Sequence, residues 1–261
     1  MRVVTWNVNS VSARLDFVLD FLEARQPDVV CLQELKTTDD DFPRLAFAQL
    51  GYASVAHGQQ QWNGVAVLSR KASGPAPELV QAGLPGQEAM GARLVTVRVL
   101  GLEISSVYVP NGKSVEHADY AKKLAWLDAL IAHLRGAMSQ DRPVIVAGDF
   151  NIAPTDLDTW DPKGHAGHIF HTDEERARVA ALYELGLVDL YRKLHPEEQA
   201  FTWWDYRGGS FHKKQGLRID WLLGNASAAE RCTEVSVDRD FRKKREERTP
   251  SDHAPVVAEL D

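Results

Sequence analysis

Cysteine is scarce in this chain: only Cys31 and Cys232 occur among 261 residues. Two thiols cannot build a disulfide framework, so a reducing, cytoplasmic setting is the expectation. Cys31 lies in the apolar run Val29-Val30-Cys31-Leu32 and reads as a small core residue. No apolar run reaches the ~20 residues that a membrane-crossing helix requires. No secretory leader is visible either, because Met1-Arg2-Val3-Val4 already reads as a strand. A membrane partner is therefore not expected. An excess of basic charge is also missing: 30 Lys and Arg face 37 Asp and Glu, a net charge of -7. That balance argues mildly against a polyanion partner. Local distribution matters more, because carboxylates that hold a divalent cation count as negative only while the cation is left out. Low-complexity blocks, linkers and short repeats are absent too. What remains, 44% hydrophobic and 26% charged residues, is an ordinary globular balance, expected as one domain over residues 1–261 and as a monomer.

Strand-like apolar runs recur at 2–9, 28–33, 63–69, 92–100, 103–109, 143–150, 217–223 and 254–260. Between some of them the period changes to that of a helix. Leu15, Val18, Leu19 and Leu22 are spaced as one helix face, with Ser12 as the expected cap and Pro27 as the stop. Residues 117–135 repeat the pattern with Leu124, Leu127, Ile131 and Leu134. Thr172-Asp173-Glu174-Glu175 is a capping box, and Gly186 closes the helix it opens. Gly101-Leu102 signals a hairpin, whereas the first two strands flank a helix. A mixture of hairpins and crossovers excludes a purely parallel sheet. The fold class expected is α/β, with two mixed sheets packed face to face and helices outside.

Several strands end in polar residues that an interior would not choose. Run 2–9 delivers Asn7 and Asn9, and run 28–33 delivers Gln33-Glu34. Run 103–109 leads into Tyr108-Val109-Pro110-Asn111. Run 143–150 carries Asp149 and then Asn151, two apart and so on one face. Asp220 lies in the strand 217–223, and Ser251-Asp252-His253 opens the last one. Singly, each reads as a turn former or a cap. Together they would place carboxylates, amides, a tyrosine and a histidine at one sheet edge. Carboxylates so gathered repel one another unless a divalent cation lies among them. Oxygen donors without paired Cys or His favour Mg²⁺ or Mn²⁺ over zinc. The chemistry that suits such a site is phosphoester cleavage.

Trp6-Asn7-Val8-Asn9-Ser10, Gln33-Glu34-Leu35-Lys36, Tyr108-Val109-Pro110-Asn111, Gly148-Asp149-Phe150-Asn151-Ile152-Ala153-Pro154, Gly216-Leu217-Arg218-Ile219-Asp220 and Pro250-Ser251-Asp252-His253-Ala254-Pro255-Val256 follow in this order. Together they resemble the exonuclease III family of abasic-site endonucleases, within the endonuclease/exonuclease/phosphatase superfamily. The resemblance runs from residue 2 to residue 258. It implies a four-layer α/β-sandwich and Mg²⁺-dependent hydrolysis 5′ to abasic sites in duplex DNA, with 3′→5′ exonuclease and 3′-phosphatase or phosphodiesterase activity. It also implies roles. Glu34 is the main metal ligand with Asn7 beside it. Asp149 orients and deprotonates the attacking water, steadied by Asn151, and Asp252 shapes the metal side. His253, paired with Asp220, binds the scissile phosphate; it is also the alternative base. Tyr108 donates to phosphate, and Asn111 contacts phosphate near the flipped-out sugar. Asp149, Asn151, Asp252 and His253 are all counted among the residues around the metal.

The stretch Thr202-Trp203-Trp204-Asp205-Tyr206-Arg207 is the most aromatic in the chain. Neighbours in a strand face opposite ways, so one tryptophan is expected to pack. The resemblance places Trp203 and Leu217 in the wall of a pocket for a base-free sugar, which costs less to extrude than a paired nucleotide. Phosphate contacts are expected from Lys36, Lys113, Arg207, Lys213-Lys214 and Arg242-Lys243-Lys244-Arg245, the last diluted by Glu246 and Glu247. His165, His168 and His171 with Trp160 read as a DNA-facing loop rather than a zinc site. A rival reading is a related phosphoesterase acting on a lipid or inositol phosphate. It would share the metal-site motifs but lack the Trp203–Arg207 segment and the Tyr108–Asn111 motif in these forms. A binding protein that had lost catalysis would show gaps in the motifs, and every expected polar position is filled.

Overall fold

A computed structural model describes residues 1–138, 142–245 and 248–261. Among them the elements are β1 (Arg2–Asn7), α1 (Leu15–Arg25), β2 (Val29–Gln33), α2 (Arg44–Gln49), β3 (Tyr52–His57), β4 (Val65–Arg70), β5 (Glu78–Ala82), β6 (Leu94–Val99), β7 (Leu102–Tyr108), α3 (Ala118–Met138), β8 (Val144–Asp149), α4 (Pro162–His165), α5 (Asp173–Glu184), β9 (Val188–Asp189), α6 (Leu190–Leu194), β10 (Asp220–Gly224), α7 (Ala226–Arg231), β11 (Cys232–Val237) and β12 (Val256–Leu260). The strands form two six-stranded sheets, ordered β11-β12-β1-β2-β4-β3 and β5-β6-β7-β8-β10-β9. Each has one parallel pair, β1 with β2 and β7 with β8, among antiparallel neighbours.

The period-2 alternation of the strands builds the four layers. Val3, Val29, Cys31 and Val67 of one sheet meet Val97, Ile104, Ile145 and Leu222 of the other in the central core. The alternate residues Val4, Trp6, Val30 and Leu32 face outward and pack on Phe17, Val18, Phe21 and Leu22 of α1. On the far side, Val146, Trp221 and Leu223 pack on Trp126, Leu127 and Leu130 of α3 and on Val179 and Leu182 of α5. Cys31 lies fully in the central core, where burial pushes its thiol far above the ordinary range. No helix is long and apolar enough to cross a membrane among the described residues.

Several local expectations need correction. Ser12 does not cap α1; Arg14 stands at that position and contributes no side-chain bond. The expected stop holds: the helix ends at Gln26, in the left-handed region just before Pro27. The hairpin turn is Leu100-Gly101, both with positive φ (50° and 80°), and Leu102 already pairs with Val99. This is the type I′ pattern that suits strand twist. The run 217–223 yields a strand only from Asp220, because Leu217 bridges Thr159 and Trp203 outside the sheet. Strands β3, β5, β9 and β11 carried no sequence signal that was recognised. β5 is exposed along nearly its whole length, so it shows neither a buried run nor a clean alternation.

Candidate active site

The strand registers bring the polar ends together. Tyr108 lies directly opposite Asp149 in the β7–β8 pair, and Asp149 opposite Asp220 in the β8–β10 pair. One row across three strands therefore carries a phenol and two carboxylates on a common face. Gly148 is required here, since a Cβ would lie 1.9 Å from the carbonyl oxygen of Val107 on β7. From the other sheet, β1 ends at Asn7 opposite Gln33, and Glu34 follows β2 in a left-handed conformation (φ 53°). Asn151, two residues past β8, is also left-handed (φ 50°). Such backbone costs roughly 1–2 kcal/mol per residue and persists where surrounding bonds over-determine it.

Those bonds are present. Asn7 Nδ2 donates to Glu34 Oε1 at 2.8 Å and to Asp149 Oδ2 at 2.9 Å, while its Oδ1 accepts from the Asn9 amide at 3.0 Å. Asn7 thus bridges the two carboxylates. The Asn151 amide donates to Asp149 Oδ1 at 2.9 Å, and its side chain donates to Val109 O at 2.9 Å. Asn111 Nδ2 reaches Asn151 Oδ1 at 3.5 Å. His253 Nδ1 donates to Asp220 at 2.8 Å and its Nε2 faces Asp149 Oδ2 at 3.9 Å. Donor atoms of Glu34, Asp149 and His253 lie within 4.8 Å of one another. This is the only such cluster among the described residues.

The electrostatics divide the titratable groups. Burial, with repulsion from Asp220 and Glu34, pushes the Asp149 carboxyl up to about 7 against the pull of His253. Burial alone would lower His253, but Asp220, Asp149 and Asp252 raise it to about 10. His253 is therefore a cation at neutral pH, with Asp220 as its fixed counter-ion. Burial raises the Tyr108 phenol well above its ordinary value, and the neighbouring Glu34 and Asp149 charges add to this. Tyr108 therefore remains an O–H donor.

Other expected residues fall in different places. Asp252 turns both oxygens to neighbours, Oδ1 to Asn9 Nδ2 (2.9 Å) and Oδ2 to Trp203 Nε1 (3.0 Å), and so links the aromatic wall to the rim. Trp203 and Leu217 are bridge partners, whereas Trp204 is buried, which separates the two tryptophans as strand alternation requires. Lys36 pairs with Glu34 Oε2 (2.9 Å) and Asn9 Oδ1 (2.6 Å). Lys113 supports Asn111 Oδ1 through its backbone amide (3.0 Å), while its exposed ammonium pairs with Asp119. Arg207 is 91% exposed and bonds Asp205. Arg242 is not a free phosphate clamp: it is buried and donates to the carbonyls of Asp252 and Trp204. Lys243 pairs with Asp240, and Arg245 covers the Phe241 ring at 4.0 Å. Lys213 and Lys214 are exposed, and Glu246 and Glu247 lie outside the described residues. Trp160, His165 and His171 form a ring series with centroids 5.6 and 4.9 Å apart; burial lowers both imidazoles, and His168 is exposed.

Residues that sequence reasoning missed complete the frame. Ser251 Oγ donates to Asn7 O (2.6 Å) and accepts from the His253 amide (3.2 Å). Thr202 Oγ1 accepts the amides of Ile219 and Asp220, each at 3.1 Å. The Arg93 guanidinium lies 4.8 Å from the Tyr108 ring centroid. Ser251 stood inside a motif and Thr202 at the start of the aromatic stretch, neither with a role assigned; Arg93 carries no local signal.

With this geometry in hand, similarity to known proteins becomes decisive. The model of the Endonuclease/Exonuclease/phosphatase family matches residues 4–253. The chain belongs to that family. Within it, the chain is 33% identical to exodeoxyribonuclease III of Haemophilus influenzae over 276 residues, covering all of both chains. It superposes with TM-score 0.95 and 39% identity on NExo from Neisseria, a 3′ phosphatase bound to a product DNA hairpin, covering 100% of this chain and 99% of that one. An AP endonuclease from Archaeoglobus fulgidus gives 0.93 and 34%, with the same coverage. The expected exonuclease III resemblance and two-sheet α/β-sandwich therefore hold, and the chain is a hydrolase of phosphodiester bonds.

Proposed function

We propose that this enzyme is a Mg²⁺-dependent DNA-repair nuclease that cleaves duplex DNA 5′ to abasic sites, with 3′→5′ exonuclease and 3′-phosphatase or phosphodiesterase activity. The observation that carries this is the convergence of half-buried Glu34 with buried Asp149 and His253 beside the Trp203–Leu217 pair. The donor set fits a hard divalent cation, since its carboxylates converge and an amide bridge holds them in place. Glu34 would hold the ion with oxygens of Asp149 and Asn151, and Mn²⁺ would substitute. When bound, the ion screens phosphate charge and stabilises the departing oxygen.

The side chains supply the rest. Asp149, poised near neutrality, accepts a proton from water while the Asn151 amide fixes one of its oxygens. His253 presents a charged N–H to a non-bridging phosphate oxygen, its other nitrogen anchored on Asp220. A protonated imidazole has no lone pair for a proton, which favours Asp149 over His253 as the base. Tyr108 and Asn111 donate to the same phosphate. Trp203 and Leu217 form an apolar wall against which a sugar without a base fits and a full nucleotide does not.

DNA-acting relatives of this fold support nucleic acid over a lipid or inositol phosphate. Side-by-side assays on a tetrahydrofuran abasic duplex, a recessed 3′-hydroxyl duplex and a 3′-phosphate duplex test the reading. Mg²⁺-dependent turnover of these substrates is expected. Turnover of a lipid phosphoester with none of the three DNAs cleaved would refute it.

A further inference from the structure

The ammonium of Lys123, on α3, and the carboxylate of Glu175, on α5, are both 0% exposed and meet at 2.5 Å. A buried pair of this kind adds little net stability, so its role is to be sought in what else it bonds. The remaining Lys123 bonds run toward the site: Nζ donates to Asn151 O at 2.7 Å and to Asn111 O at 3.3 Å. The Phe170 ring covers the ammonium, its centroid 4.9 Å away. Glu175 is held in turn. Its Oε2 accepts the Thr172 amide (3.1 Å) and hydroxyl (3.0 Å), the capping box of α5. The lysine stem passes Gly112, where a Cβ would lie 3.1 Å from Lys123 Cδ.

We propose that Lys123, oriented by Glu175, is a positioning residue that clamps the loops after β7 and β8 and thereby fixes Asp149. The chain of bonds is continuous. The α5 cap holds Glu175, Glu175 holds Lys123, and Lys123 holds the carbonyl of left-handed Asn151. The amide of that same residue fixes Asp149 Oδ1. Each link restricts the next, so the carboxylate that faces the water-attack position inherits the rigidity of two packed helices. The carbonyl of Asn111 on the same ammonium sets the spacing between the two loops. Without the clamp, Asn151 can relax from its left-handed backbone and take its amide off Asp149. A cation suits this task better than a neutral donor, because one ammonium directs three hydrogens at two carbonyls and a carboxylate.

The inference rests on the reading of Asp149 given above, and two independent measurements test it. The double variant Lys123→Met/Glu175→Gln removes both charges and leaves an acceptor for the α5 cap, so no unpaired charge stays buried. We expect it to melt near the wild-type temperature while kcat falls at least about tenfold and KM for DNA changes little, the pattern of an interaction felt in the transition state. Hydrogen exchange at the Asn151 amide, followed by NMR, should speed up at least about tenfold with the β8 interior unchanged. The single variant Glu175→Gln removes the carboxylate that orients the buried ammonium, so it should also lower kcat, by at least about threefold, with KM for DNA little changed. Wild-type turnover in the folded double variant, or unchanged Asn151 exchange, would overturn the proposal. So would wild-type kcat together with wild-type Asn151 exchange in folded Glu175→Gln, which decides the matter even if the double variant does not fold. If wild-type protein cleaves none of the substrates, the functional reading fails, while the exchange measurement still judges the clamp.

Discussion

Asp149 and His253 are 3.9 Å apart, yet Asp149 is pushed up to about 7 while His253 is raised further, to about 10. That split gives each a testable task. Asp149→Asn keeps the shape and removes the base; we expect kcat to drop by about 10²–10³, or roughly 3–4 kcal/mol of transition-state stabilisation, with DNA affinity retained in a gel-shift assay. Near-normal turnover would move the base role to another residue. Asp220 raises His253, so the imidazolium persists until pH passes about 10. Asp220→Asn removes the counter-ion, and the alkaline limb of the pH–rate profile should move down toward neutrality. The sign follows from a cation losing the carboxylate that favours its charged form. An alkaline limb that stays in place would show that His253 charge does not limit the rate. Trp203→Ala should reduce abasic incision more than 3′-phosphate removal, because only the former has to seat a base-free sugar against the indole. Equal losses would reduce Trp203 to packing.

At the level of elements, the site depends on how closely strands and helices approach. The capping box of α5 was readable from four letters, and the structure forms it in full, with Thr172 and Glu175 bonding reciprocally. Thr172→Ala should cost about 1 kcal/mol, measurable by denaturant unfolding. Gly148 is more demanding. The β7–β8 pair closes to a distance that leaves no room for a methyl group against Val107. Gly148→Ala should destabilise by about 3 kcal/mol, the upper end for overpacking, and displace Asp149 with it. Such a constraint was invisible in the sequence, where Gly148 was only part of a motif. Edge strands were missed for a related reason. β5 has solvent on both sides, so composition there is free of the patterning that burial imposes.

For the whole molecule, the two sheets act as a frame that brings residues far apart in the chain into hydrogen-bonding range, as in the bond from Trp6 Nε1 to His253 O, 247 positions apart. A ligand that binds only the folded site should stabilise the fold by mass action. Millimolar Mg²⁺ is expected to raise the melting temperature of the chelator-treated protein, and Glu34→Gln should abolish the rise. An equal rise in the variant would put the ion elsewhere. What the sequence determined by itself was periodic or contiguous: the alternating strands, the helical faces, the capping box and six motifs carrying Asn7, Glu34, Tyr108, Asp149, Asp220 and His253. Local pattern suffices there because burial on one face selects residues at fixed spacing. The tertiary structure alone decided which charges are used up and which converge. Arg242 looked like a phosphate clamp and proved to be a brace, because its guanidinium meets the carbonyls of Asp252 and Trp204, from two other segments. Lys123 carries no signal in the sequence, and its surroundings make it the buried link to Asn151. Hydrogen-bond partners are chosen by proximity in space, and a linear pattern of residue types carries no record of that proximity.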